Sequence, residues 1–175
     1  WTVSAGQVGY AEAVAAMEAR VETIANGTAP ELIWLLEHPP LYTAGVSAKA
    51  DDLLAPSRFP VFKSARGGQY TYHGPGQVVI YLLLDLSRRK LKVRELVTVI
   101  EQAVIDLLDT YGVTAERRDG APGVYVGAAK VAALGLRIRN GCSYHGVSLN
   151  VDMDLAPFAA INPCGYAGLQ VVQTR

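Results

Sequence analysis

Two side chains stand in settings where they could do chemistry. Cys164 lies in the turn-like run Asn162-Pro163-Cys164-Gly165, and Lys130 opens the apolar segment Val131-Ala132-Ala133-Leu134-Gly135. Proline restrains the approach to a turn, and glycine lets backbone amides come close to a reacting group. A thiol in such a loop becomes a nucleophile when a nearby cation favours its thiolate. An ammonium can do this by its charge, or act as a base once neutral, and burial would couple the two titrations. Plainer readings stand beside these: an inert buried cysteine, and a lysine whose stem covers apolar surface. The three histidines, His38, His73 and His145, all sit in glycine- or proline-rich junctions beside apolar runs. His73 shares its segment with Gly67, Gly68, Gly74 and Gly76, a loop able to wrap closely around a thioester or acyl chain. It fits neither the phosphate-loop pattern nor the dinucleotide fingerprint. Loop thiol, cation and glycine-lined cavity together point to acyl transfer through a thioester. For each histidine alone, a structural hydrogen bond explains as much as catalysis, and His38 reads simply as the end of a strand.

Composition narrows the field. A chain of 175 residues fits one domain with a sizeable core. Sixteen basic and sixteen acidic residues cancel, which leaves no global case for nucleic-acid binding. Arg88, Arg89, Lys90, Lys92 and Arg94 form a local basic run: either a solvated turn and helix start, or a docking patch for an acidic protein. Cys142 and Cys164 make no disulfide framework. Cys142 and His145 have metal-like spacing that Cys164 and His73 could complete, yet no second close ligand pair supports zinc. No apolar stretch is long enough to cross a bilayer, and residues 1–26 do not read as an export signal. A reducing, cytoplasmic setting is therefore expected.

The elements that must position these residues follow from periodicity. Tyr10, Val14, Met17, Val21 and Ile24 predict a first helix that stops at Gly27. Val93, Leu96, Val97, Ile100, Val104, Leu107 and Tyr111 predict a second, ending at Gly112. Strands are expected at Glu31–Glu37, Leu41–Thr43, Val61–Ser64, Val78–Leu84, Val113–Glu116, Gly123–Val126, Val131–Arg139, Tyr144–Val151 and Leu169–Val172. Residues 46–60 read as a surface excursion, and Leu155–Ala160 as a short helix before the cysteine turn. The order implies an α+β fold with a mixed, largely antiparallel sheet and flanking helices.

Three blocks carry a resemblance over nearly the whole chain: LEHPPLYTAG at 36–45, RGGQYTYHGPGQVVIYLLLDL at 66–86, and KVAALGLRIRNGCSYHGVSLNVDMDLAPFAAINPCGYAGL at 130–169. The sequence resembles the lipoyl-protein octanoyltransferase family, also called lipoate-protein ligase B. That resemblance implies a fold similar to the catalytic domain of lipoate and biotin ligases, with residues 1–175 as a single acyltransferase catalytic domain. It makes Cys164 the acyl-accepting nucleophile and Lys130 its catalytic partner. Arg66, Gly67, Gly68, Tyr72, His73 and Gly74 match the substrate-binding block. Ala132, Leu134, Gly135, His145, Gly146 and Asn150 match segments that line or support the cavity. The chain departs from the family at Ala44, often Leu, and at Gly127-Ala128, often Asp-Gly. A terminal helix common in the family is not evident, so a missing C-terminal element is expected.

The implied reaction takes an octanoyl group from the phosphopantetheine thioester of acyl carrier protein onto Cys164. It then passes the group to a lysine on the lipoyl domain of an acceptor, in 2-oxoacid dehydrogenase subunits or the glycine cleavage H protein. No metal or other cofactor, nucleic acid or membrane is implied, and a monomer is expected. Arg66, the 88–94 run, Arg137 and Arg139 would dock the acidic carrier. Two alternatives stand: an ATP-dependent lipoate or biotin-type protein ligase, and a non-catalytic module that binds lipoyl domains or acyl-proteins.

Overall fold

The computed structural model describes the backbone of residues 1–175 and every side chain except that of Cys164. Nine strands run in chain order: β1 (Thr2–Gln7), β2 (Leu32–Glu37), β3 (Leu41–Ala44), β4 (Val61–Lys63), β5 (Tyr70–His73), β6 (Gln77–Leu83), β7 (Gly123–Val126), β8 (Ala129–Arg139) and β9 (Cys142–Asn150). Helix α1 spans Tyr10–Ala25, α2 Leu86–Arg89 and α3 Val93–Asp109. Six strands form the main sheet in the order β1-β2-β6-β9-β8-β7, and β4-β3-β5 form a second, smaller one. Only the β1–β2 and β3–β4 pairs are parallel, so the expected mixed and largely antiparallel architecture is what the chain adopts.

Alternation along β6 decides where the helices go. Val79, Tyr81 and Leu83 point to one face, where Ala13, Met17, Val21 and Ile24 of α1 cover them together with Tyr144 and Cys142 of β9. Ile80 and Leu82 point to the other face, where Leu96, Ile100, Val104 and Leu108 of α3 pack with Val124, Val131, Val147 and Leu149. Burying four such aliphatic side chains stabilises α3 by roughly 1.5–3 kcal/mol each. A third core lies on the small sheet, where Tyr42, Tyr70 and Tyr72 meet Phe158 and Ile161.

Four expectations need correction. Thr2–Gln7 is a strand that the apolar pattern does not announce, because its residues are almost all exposed. Tyr70–His73 is a strand, not loop: its backbone pairs with Leu41–Ala44. Val113–Glu116 and Leu169–Val172 are not strands. Each contributes one isolated bridge, Glu116 to Tyr125 and Val171 to Lys130. Finally, the 46–60 excursion is not idle surface. Leu53 bridges Ile161, and Asp52 accepts both the backbone N–H of Asn162 at 2.8 Å and its side-chain N–H at 3.0 Å.

Candidate active site

Lys130 is placed by its pairing with Tyr125 of β7 on one edge and by an isolated bridge to Val171 on the other. Its N–H donates to Gln170 at 2.9 Å, and its carbonyl accepts from Val172 at 3.0 Å. The side chain is 3 % exposed. Its Nζ donates to the Pro122 carbonyl at 3.0 Å and lies 5.1 Å from the centre of the Tyr125 ring. Space for it exists because residue 123 is glycine at φ +135°: a Cβ there would sit 3.2 Å from Nζ. Glu101 of α3, buried on an otherwise apolar stripe, holds the Gly123 N–H at 2.8 Å.

The lysine opens into a cavity of about 330 Å³ lined also by Ser47, Val93, Val97, Gln69 and Tyr166. Tyr166, the residue just after the turn bearing Cys164, is part of this lining. The cysteine's backbone occupies the 3₁₀ turn Pro163–Gly165, while the Cys164 side chain lies outside the described residues. Tyr166 N–H donates to Pro163 and Gly165 N–H to Asn162. Gly165 has φ +73°, and a Cβ there would fall 2.0 Å from Gln69 Oε1. Only glycine lets this turn close onto Gln69.

A second, narrower cavity of about 50 Å³ is lined by Tyr10, Arg66, His73, Tyr81 and His145. The two cavities share Gly68, Gln69, Leu134 and Gly135. Gly135 pairs directly with Gly146 across the sheet, which removes two side chains where the cavities meet. A Cβ on Gly135 would lie 2.8 Å from the Gly67 carbonyl, so the loop can rest on the strand only there.

Arg66 braces that loop. It is 8 % exposed, and its guanidinium donates to the Thr43 hydroxyl at 2.7 Å and to the carbonyls of Thr43, Gly67 and Gln69 at 3.0, 2.8 and 2.8 Å. The expected docking role for Arg66 is therefore corrected: buried and spent on backbone oxygens, it offers no charge to a partner's surface.

The three histidines come together. His38 and His73 ring centres lie 5.6 Å apart, and Tyr81 lies 5.8 Å from both His38 and His145. His38 Nδ1 donates to the Val8 carbonyl at 2.6 Å, which leaves Nε2 to accept from the Tyr81 hydroxyl at 2.7 Å. His73 Nδ1 donates to Gln77 Oε1 at 2.7 Å, because the Gln77 amide nitrogen is already given to Tyr72 O and Asn150 Oδ1. Asn150 donates onward to the Val172 carbonyl at 3.0 Å, and Val172 N–H meets the Lys130 carbonyl. A buried polar chain thus ties His73 to the backbone of Lys130.

Burial lowers His73 to about 3, with the neighbouring His38 adding to the effect. His145 also falls to about 3, through burial first and the Arg66 charge second. Both are neutral near pH 7, so neither supplies the cation that a thiolate needs. Of the other two basic side chains in the cavity walls, Arg66 is taken up by oxygens of its own loop and of Thr43, and Lys130 lines the wider cavity. The other cysteine, Cys142, is fully buried under α1, and burial raises its thiol further, away from nucleophilic use.

His145 has φ +60° within β9, a conformation rare outside glycine. Consecutive strand residues point to opposite faces, yet His145 stacks on Tyr144 at 4.9 Å. The left-handed backbone turns its ring to the α1 side, into the cavity.

Of the remaining expected residues, Tyr72 and Gly74 line neither cavity. Tyr72 packs among Tyr42, Phe59 and Phe158, with Gly74 against its hydroxyl. Ala132 belongs to the core under α3 and Asn150 to the polar chain. These four support the site from behind. Sequence reading passed over Tyr10, Gln69, Tyr81 and Glu101 as site residues. Glu101 has a visible signal, a lone carboxylate on an apolar helix stripe. Among the described residues no group of three or more His, Cys, Asp or Glu is disposed to hold a metal.

Comparison with known proteins extends this picture. Residues 9–172 match the model of the lipoyl protein ligase A/B catalytic domain. An octanoyltransferase from Dechloromonas aromatica (strain RCB) is 69% identical over 172 residues, covering 97% of this chain and 82% of the relative. One from Azoarcus sp. (strain BH72) is 61% identical over 171 residues, with 97% and 75% covered. A lipoate-protein ligase A crystallised with ATP superposes with a TM-score of 0.67 at 15% identity, over 91% of this chain and 70% of that one. The bi-partite lipoate protein ligase of Thermoplasma acidophilum gives 0.64 at 15% identity, over 91% and 63%. The solved structures, at that identity, establish the shared fold.

Proposed function

Since the chain belongs to the lipoyl protein ligase A/B catalytic-domain family, we infer that it is an octanoyltransferase acting through a cysteine thioester, as a single catalytic domain and a monomer. The donor is octanoyl acyl carrier protein. The acceptor is a lysine on the lipoyl domains of 2-oxoacid dehydrogenase subunits or on the glycine cleavage H protein. One observation carries the reading: buried Lys130 and Tyr166, two residues past Cys164, line the same cavity.

In the first half-reaction the Cys164 sulfur attacks the thioester carbonyl as Lys130 takes the thiol proton. The tetrahedral intermediate expels the carrier's thiolate, which recovers that proton from Lys130. In the second half, the acceptor amine attacks the octanoyl-enzyme, loses a proton to Lys130, and the carbon–sulfur bond breaks to leave an amide and free Cys164. The alkyl tail runs from the shared junction into the His73–His145 cavity, where each buried methylene contributes about 0.8 kcal/mol. His73 and His145, neutral and hydrogen-bonded or stacked, shape that wall.

The test offers octanoyl carrier protein and an apo-lipoyl domain without ATP. Intact mass should show an octanoyl adduct on the enzyme, then an amide on the acceptor. Cys164→Ser should abolish the adduct, and Lys130→Ala should slow both halves at least 100-fold with the fold retained. Product that appears only with ATP, and no enzyme adduct, would replace this reading with adenylate ligation.

A further inference from the structure

Gln69 is anchored through its main chain while its side-chain oxygen is left unused. Its carbonyl accepts from Gly45 N–H at 3.1 Å and from the Arg66 guanidinium at 2.8 Å. That clamp points the side chain at the backbone of residue 165, immediately after Cys164, where Gly165 alone gives it room. The carboxamide lines both cavities at their junction. Its Oε1 is the one buried side-chain nitrogen or oxygen among the described residues without a hydrogen-bond partner. A buried acceptor left empty is costly, so a folded chain retains one where something arrives to fill it.

We propose that Gln69 is a catalytic residue of the second half-reaction: its Oε1 accepts an N–H of the incoming acceptor amine and aims the nitrogen lone pair at the thioester carbonyl. The assignment rests on the octanoyl-transfer reading above. The amine brings two hydrogens. One stays on the amide nitrogen and bonds to Gln69 as positive charge develops on the attacking nitrogen. The other leaves for Lys130 and finishes on the Cys164 sulfur when the carbon–sulfur bond breaks. The first half-reaction involves an attacking thiol with no N–H, and therefore needs no such acceptor. The asymmetry between the two halves separates this role from a general packing role.

The test measures the halves separately. Wild-type, Gln69→Leu and Gln69→Glu enzymes are first acylated by octanoyl carrier protein, and adduct formation is followed by intact mass. The isolated octanoyl-enzymes are then mixed with saturating apo-lipoyl domain in a single turnover, and spontaneous thioester hydrolysis is recorded alongside. We expect Gln69→Leu to acylate within about threefold of wild type, hydrolyse at the same rate, and transfer to the amine 10- to 100-fold more slowly, the size of one hydrogen bond to a charged group. Gln69→Glu keeps an acceptor oxygen at similar reach and should restore most of the transfer rate. Equal slowing of both halves, unchanged transfer in Gln69→Leu, or failure of Gln69→Glu to rescue would overturn the proposal. Wild-type acylation is the separate control: its absence would sink the transferase reading itself.

Discussion

His73 and His145 make the site sensitive to acid in a direction fixed by their environment. Each has an ordinary value of 6.5 and is depressed to about 3 in the fold. Below pH 6.5 the unfolded chain takes up protons that the folded chain refuses, so stability is full above that point and falls as pH drops toward 3. Each histidine costs about 1.4 kcal/mol per pH unit in that window. Unfolding free energies from urea titrations at pH 7.5 and 5.5 should therefore differ by about 2–3 kcal/mol, and His73→Asn should remove nearly half of the difference; an unchanged slope would contradict the neutral-histidine assignment. Residue types such as Cys164, Lys130 and His73 were legible in the sequence because thiols, amines and imidazoles announce chemistry. His145 was legible as a residue but its orientation was not. A period-two pattern places it opposite Tyr144, and only the left-handed backbone reverses that.

Among elements, the two helices were legible because α1 and α3 carry apolar stripes at helical spacing against a sheet. Strand β1 was not, because an exposed edge strand needs no buried pattern. Nor was the clasp at 50–52, since hydrogen bonds between Asp52 and Asn162 link segments 110 positions apart and leave no periodic trace. That clasp gives an element-level prediction. Asp52→Ala removes the side-chain acceptor of the Asn162 amide and leaves the backbone one, so octanoyl-enzyme formation should slow severalfold while the melting midpoint falls only a few degrees. Matching acylation rates would show that the clasp does not set the turn. Gly135→Ala is harsher: its Cβ, 2.8 Å from the Gly67 carbonyl, must lift the glycine loop from β8. Transfer should fall at least tenfold with secondary structure intact by circular dichroism.

For the molecule as a whole, the fold sorts the basic residues that composition could only count. Arg88 and Arg89 are tied to Glu31, and Arg139 to Glu22. Lys90, Lys92 and Arg94 take part in no ion pair among the described residues and flank Val93, which lines the Lys130 cavity. Reversing these three charges should lower kcat/KM for an acidic carrier several-fold at low salt and little at high salt. Equal effects at both ionic strengths would reject steering. No helix among the described residues is long and apolar enough to cross a membrane.

The junction of the two cavities at Gly68, Gln69, Leu134 and Gly135 also bears on the order of events. With the alkyl tail threaded through it, donor thiol and acceptor amine must both approach through the Lys130 cavity, so the donor leaves before the acceptor reaches the sulfur. Steady-state velocities should then plot as parallel double-reciprocal lines, and an excess of either protein should inhibit competitively against the other. Intersecting lines would mean that both proteins occupy the doorway together.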